Sequence, residues 1–169
     1  MVKFGFALSM GATIPWDTKL AFAEEVERLG YDAYCNPHFL GRDVHGFDCL
    51  DTLAAIAVRT NRIKLMTGVV QVPLYNPVDL ARRVTTIDHM SNGRLILGIG
   101  VGWIPREYEM QGVPFNERGK RCDESLEIMN RLWTEEGEIG YDGKFYKVSE
   151  LAMEPKPVQK PHPPLLYGG

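Results

Sequence analysis

Residues 93–103 read GRLILGIGVGW. Leu95 to Ile99 is a continuous apolar run, the pattern of a parallel strand covered on both faces. Gly98, Gly100 and Gly102 stand at alternate positions at its carboxyl end. Glycines there remove side chains where a ligand approaches the backbone. In open parallel sheets and in β/α barrels, the carboxyl ends of the strands are where sites are built. One segment thus proposes both an architecture and a location for chemistry. A dinucleotide fingerprint is the rival reading, and its spacing fails: GxGxxG from Gly98 requires glycine where Trp103 stands, with a helix opening there.

The flanking sequence repeats a strand–helix alternation. Lys3–Leu8 reads as a first strand, and a helix follows from about Asp17, a candidate N-cap, to Leu29, stopped by Gly30. Tyr31–Asn36 is a second strand, followed by a loop carrying His38, Gly41, His45 and Gly46. Asp48 caps a helix to about Arg59 with Leu50, Leu53, Ala54 and Ala57 on its core side. Arg62–Val72 is a third strand. Asn76-Pro77 then opens a helix with an N-cap and a first-position proline, and Ser91-Asn92-Gly93 closes it.

Beyond Trp103, residues 104–116 read as an ordered loop with one helical turn. A long helix covers Glu117–Glu135, with Cys122, Leu126, Met129 and Trp133 at helical spacing. Gly140–Val148, around Asp142-Gly143, reads as a β-hairpin. Proline-rich residues 155–164 form an extended connection, and Pro164–Tyr167 begins a fifth strand. Alternating strands and helices imply parallel pairing with right-handed crossovers, in a single domain over 1–169.

Composition excludes several functions. A net charge of −3 from 19 basic and 22 acidic residues, with no basic stripe, argues against nucleic-acid binding. Three cysteines, Cys35, Cys49 and Cys122, form no CxxC pair, which disfavours a disulfide scaffold or structural zinc and points to reduced thiols in a cytoplasmic protein. No segment reaches the roughly 20 apolar residues of a membrane span, and the N-terminus has no signal-peptide pattern. No His, Cys, Asp or Glu group has metal-ligand spacing, and no GxSxG nucleophile motif occurs.

Three segments carry a family resemblance: RLGYDAYCNPHF (28–39), RTNRIKLMTGVVQVPLYNPVDLARRVTTIDHMSNGRLILGIGVGW (59–103), and PKPVQKPHPPLLYGG (155–169). With them the chain resembles, along essentially its whole length, the N-terminal part of the bacterial luciferase-like family of flavin- and deazaflavin-dependent oxidoreductases. The resemblance implies a (β/α)8 TIM-barrel type of α/β fold, of which about five of eight βα units are present, as a partial barrel with a small β-hairpin insertion. It implies hydride transfer between coenzyme F420 and a small organic substrate. The alternatives are an FMN-dependent monooxygenase of the same family, or a non-catalytic partial barrel acting as an assembly or binding module. Open strand edges predict a homo-oligomer or a complementing chain. No nucleic-acid or membrane partner is expected.

The resemblance also assigns candidate residues. His38, just past the second strand, becomes the catalytic proton carrier, since imidazole exchanges a proton near neutral pH. Pro37 stands where relatives often carry Asp. Gly68, Val69 and Val70 occupy the place of a β-bulge, often with a non-prolyl cis peptide, that supports the tricyclic ring; an ordinary Val-rich strand end is the other reading. Gly98, Gly100 and Gly102 leave room for a flat ring. Trp103 packs on substrate or cofactor, or fills the barrel mouth. Arg106 contacts the cofactor tail or stands solvated. Some deazaflavin relatives place an acidic Glu near Trp103; Glu107 and Glu109 lie farther on and are weaker candidates. His45, His89 and His162 are taken as structural. The phosphate grip is implied to come from segments after the fifth strand.

Overall fold

The computed structural model describes residues 3–7, 14–38 and 46–168. Its parallel sheet runs β1 (Gly5–Ala7), β2 (Ala33–Asn36), then β3 (Lys64–Thr67) with β4 (Val70–Gln71), then β5 (Leu95–Gly100), then β8 (Leu165–Tyr167). β3 and β4 are two halves of one strand, both paired with β5. The strands neighbour one another in chain order, the arrangement of a β/α barrel, and the sheet is an open segment of one. The first strand's expected last residue, Leu8, and the loop's Gly41 and His45 lie outside the described residues.

Between the strands run α1 (Trp16–Arg28), α2 (Cys49–Arg59) and α3 (Pro77–Met90). Asp48 accepts from the Leu50 and Asp51 N–H groups, and Asn76 from those of Val78 and Asp79, as the cap signals require. Asp17 is not a cap: α1 starts one residue earlier, after Pro15, with no side-chain cap. Asp17 instead sits in the first turn, where a carboxylate complements the exposed N–H groups. Past β5 come α4 (Pro105–Met110), longer than the one expected turn, and α5 (Arg118–Thr134). The antiparallel hairpin β6 (Ile139–Asp142) and β7 (Lys147–Leu151) hangs on Glu124 of α5, whose carboxylate accepts from the Lys144, Phe145 and Tyr146 N–H groups.

The core lies between the sheet and the helices. Tyr34, Leu65, Val70, Leu95, Leu97 and Ile99 pack from the strands against Leu50, Leu53, Ile56, Leu80 and Val84 of α2 and α3. Trp133 of α5 closes the layer and donates its indole N–H to the Ala81 carbonyl. The opposite face of the sheet carries Ala7, Cys35, Met66 and Ile96 in register, each partly or fully exposed.

At the amino ends of the strands, polar groups are tightly matched. Arg94, 8% exposed, donates to the Ser91, Thr60, Ile63 and Ala57 carbonyls and the Thr60 hydroxyl at 2.7–3.0 Å. The Glu27 carboxylate accepts from the N–H groups of Asn61, Arg62 and Ile63. Buried Asp88 accepts from the backbone and side chain of Gln159, which ties the proline-rich connection to α3.

Candidate functional site

The strand expected over Arg62–Val72 is interrupted. Met66 pairs with Ile96 and Val70 with Ile99, so four steps on one strand face three on the other. One extra residue of this kind is a β-bulge, which frees a residue from the ladder and re-aims those after it. The Gly68–Val69 peptide at the break is cis. A continuous apolar pattern cannot reveal the break, because both halves return buried side chains to the same core. Across it, the Thr67 hydroxyl donates to the Gly98 carbonyl at 2.7 Å, and the Gly68 N–H donates to the Asn36 carbonyl at 3.0 Å.

The glycines of β5 answer the bulge. A Cβ on Gly98 would lie 1.9 Å from the Thr67 carbonyl oxygen, and one on Gly100 would lie 2.7 Å from Val69 Cγ2. Gly102, with φ of +69°, leaves space taken by the Gln71 side chain. Gly68 leaves space for Cys35 Sγ. The volume these residues vacate on their Cβ side is thus filled by the chain itself, and a flat ring would meet only their backbone.

The bulge also builds a polar cluster. His38, 6% exposed, accepts through Nδ1 from the Gln71 N–H at 3.4 Å. Its Nε2 stands 3.3 Å from the Tyr75 hydroxyl, which donates to Asp48 Oδ2 at 3.4 Å. Burial pushes the His38 imidazole below its ordinary pKa, against the opposing fields of Asp48 and Glu107. Burial raises the Tyr75 phenol, with Cys49 and Asp48 adding to it. Gln71 Nε2 donates to Glu107 Oε2 at 2.9 Å, and Gln71 Oε1 is buried without a partner among the described residues. Glu107 is fully buried on α4, while Glu109 is exposed.

The structure therefore gathers His38, Gly68, Val69, Val70, Gly98, Gly100 and Gly102 at the carboxyl ends of β2 to β5. Trp103 follows them at the rim, 70% exposed. Arg106 is exposed on α4, outside this contact set. Sequence reasoning missed Gln71 and Tyr75, and ranked Glu107 low. These residues meet His38 or one another across more than thirty positions, and no local spacing signals such pairs. Among the described residues no group of three or more His, Cys, Asp or Glu side chains could hold a metal ion, and no helix is long and apolar enough to cross a membrane.

The model of the luciferase-like monooxygenases matches residues 1–169. An uncharacterised protein of Mycobacterium tuberculosis is 43% identical over 117 residues, covering 69% of this chain and 41% of its own. The F420-dependent glucose-6-phosphate dehydrogenase of Amycolatopsis mediterranei is 30% identical over 167 residues, covering 94% of this chain and 50% of its own. The FMNH2-dependent dimethylsulfone monooxygenase of Pseudomonas putida is 29% identical over 118 residues, covering 68% and 32%. The crystal structure of monooxygenase RslO1 from Streptomyces bottropensis superposes with a TM-score of 0.90 at 30% identity, over 98% of this chain and 53% of that one. The chain thus spans about a third to a half of the length of these relatives.

Proposed function

This chain belongs to the luciferase-like monooxygenase family, and we propose that it serves hydride transfer between coenzyme F420 and a small organic substrate. The observation that carries this reading is the convergence of a buried, neutral-leaning His38 with the bulge between Met66 and Val70 at the carboxyl ends of the strands. The F420-dependent relative, aligned along nearly the whole chain, supports it further. When bound, the deazaflavin supplies the redox chemistry; the protein's part is to bind, orient and exclude water.

The donor set fits a flat ring with a polar edge. Exposed Gly68 and half-buried Val69 offer backbone on the site face of the sheet. In this reading Trp103, exposed at the rim, would cover the ring, and Arg106, exposed on α4, would meet its anionic tail. His38 would hold the proton that a carbonyl gains, or an alcohol loses, as hydride moves. Substrate class, cytoplasmic location and self-association belong to the same proposal. The FMNH2-dependent relative favours a second reading, an FMN-dependent monooxygenase on the same scaffold.

Titration of the chain with F420 and with FMN, followed by each cofactor's absorbance and fluorescence, separates these readings. The expected result is saturable F420 binding at least about tenfold tighter than FMN, a difference of roughly 1.4 kcal/mol. Tighter FMN binding moves the assignment to the monooxygenase reading. Binding of neither, in whatever assembly sedimentation shows, leaves a non-catalytic module.

A further inference from the structure

We propose that Tyr75 and Asp48 are positioning residues for His38: Asp48, acting through the Tyr75 hydroxyl, orients the imidazole and keeps its proton on Nε2. This rests on His38 being the proton-handling group of the site.

The argument follows from donors and acceptors. A backbone N–H can only donate, so the Gln71 N–H requires a lone pair on His38 Nδ1. A neutral imidazole then carries its proton on Nε2, and the Tyr75 oxygen 3.3 Å away is its acceptor. The Tyr75 hydroxyl hydrogen is left free to point to Asp48 Oδ2 at 3.4 Å. A carboxylate can only accept, so every bond in the series runs one way: Gln71 to His38 to Tyr75 to Asp48. The contacts are long, as catalytic hydrogen bonds commonly are before a ligand tightens them.

Asp48 is fixed at the far end by two independent holds. Its Oδ1 caps α2 through the Leu50 and Asp51 N–H groups. Arg83 of α3 lies 3.8 Å from the same oxygen and also faces Asp51 and Asp79. Glu107 acts on His38 from α4, and Cys49 on Tyr75 from α2. The residue before the histidine, Pro37, has no side-chain acceptor to offer. The orienting carboxylate therefore reaches His38 from ten residues downstream, through a phenol.

The test reads the His38 ring nitrogens by 15N–1H correlation on histidine-labelled chain near neutral pH, with no cofactor or substrate added. His38 is identified by the signals lost in His38→Asn. The unsubstituted chain should show the proton on Nε2. Tyr75→Phe keeps the ring and removes the acceptor, so the tautomer ratio should move roughly five- to tenfold toward Nδ1, as the loss of a hydrogen bond of about 1 kcal/mol implies. Asp48→Asn keeps an oxygen for the helix cap but turns an N–H toward Tyr75. The tyrosine hydroxyl then donates to Nε2, and the ratio should move the same way. A proton on Nδ1 in the unsubstituted chain, or a ratio unmoved in either variant, overturns the proposal. Since no cofactor is present, these outcomes are independent of whether F420 or FMN binds.

Discussion

The two ends of the parallel strands are built to different rules. At the amino ends, Arg94 finds five acceptors at 2.7–3.0 Å, the Glu27 carboxylate receives the N–H groups of Asn61, Arg62 and Ile63, and Asp88 receives two from Gln159. At the carboxyl ends, the hydrogen bonds around His38 stretch to 3.3–3.4 Å, Gln71 Oε1 is buried without a partner among the described residues, and Trp103 projects from the rim. A matched end holds the fold, while a loosely matched end keeps polar groups available for something else. This is the division between stability and chemistry that β/α barrels make.

The sharpest break in that comparison is Arg94→Met. It strands buried carbonyls at the amino end and should cost about 3–5 kcal/mol, as unpartnered buried polar groups do. Chemical denaturation measures it, and a loss under about 1 kcal/mol would remove the claim that this end bears stability. Gly98→Ala comes next. Its new methyl would meet the Thr67 carbonyl oxygen, which is backbone and cannot swing aside, so a loss of about 3 kcal/mol is expected. Gly100→Ala meets a Val69 methyl at 2.7 Å, which can shift, and the Gly168 carbonyl oxygen only at 3.0 Å, so a smaller loss of about 1–2 kcal/mol is expected. Equal losses in the two variants would mean that the bulge is not what these glycines accommodate.

A smaller effect depends on pH. The unfolded His38 ring takes up a proton near pH 6.5, and the folded ring only at lower pH, because burial opposes the charge. Below that value the unfolded state binds more protons, so stability should fall as pH drops through it. His38→Asn should flatten that part of the curve, and an unchanged slope would place the imidazole in water. Smallest for stability is Trp103→Ala, expected within about 0.5 kcal/mol of the parent. The same variant should weaken cofactor binding in the titration. A large loss of stability with unchanged binding would reassign Trp103 to the fold.

Much of the scaffold was legible because it is written locally. Asn76-Pro77 and Asp48 announce helix starts by the chemistry of the residues themselves, and Leu95–Ile99 announces a buried strand by hydropathy alone. Asp17 misled because a carboxylate serves equally well at a cap or in the first turn. The site was legible only in outline. His38, Gly68 and the β5 glycines can be named from the sequence and its family resemblance, but Gln71, Tyr75 and Glu107 acquire partners only once the strands align. The glycines also carry two meanings that sequence cannot separate, room for a ring and room for a bulged neighbour. The contact distances give the second a concrete cause.

The extra residue between β3 and β4 sets which face of the sheet each following residue of that strand presents. Before the bulge, odd-numbered Leu65 and Thr67 are buried toward the helices; after it, even-numbered Val70 takes that side beside Ile99. Gln71 therefore shares a face with Gly100, where an uninterrupted strand would have turned it toward the helices. The odd–even alternation of this strand therefore changes phase once, at the bulge. Deleting Val69 would remove that extra residue, leaving a strand that alternates without a break, with Val70 still toward the helices and Gln71 still on the site face.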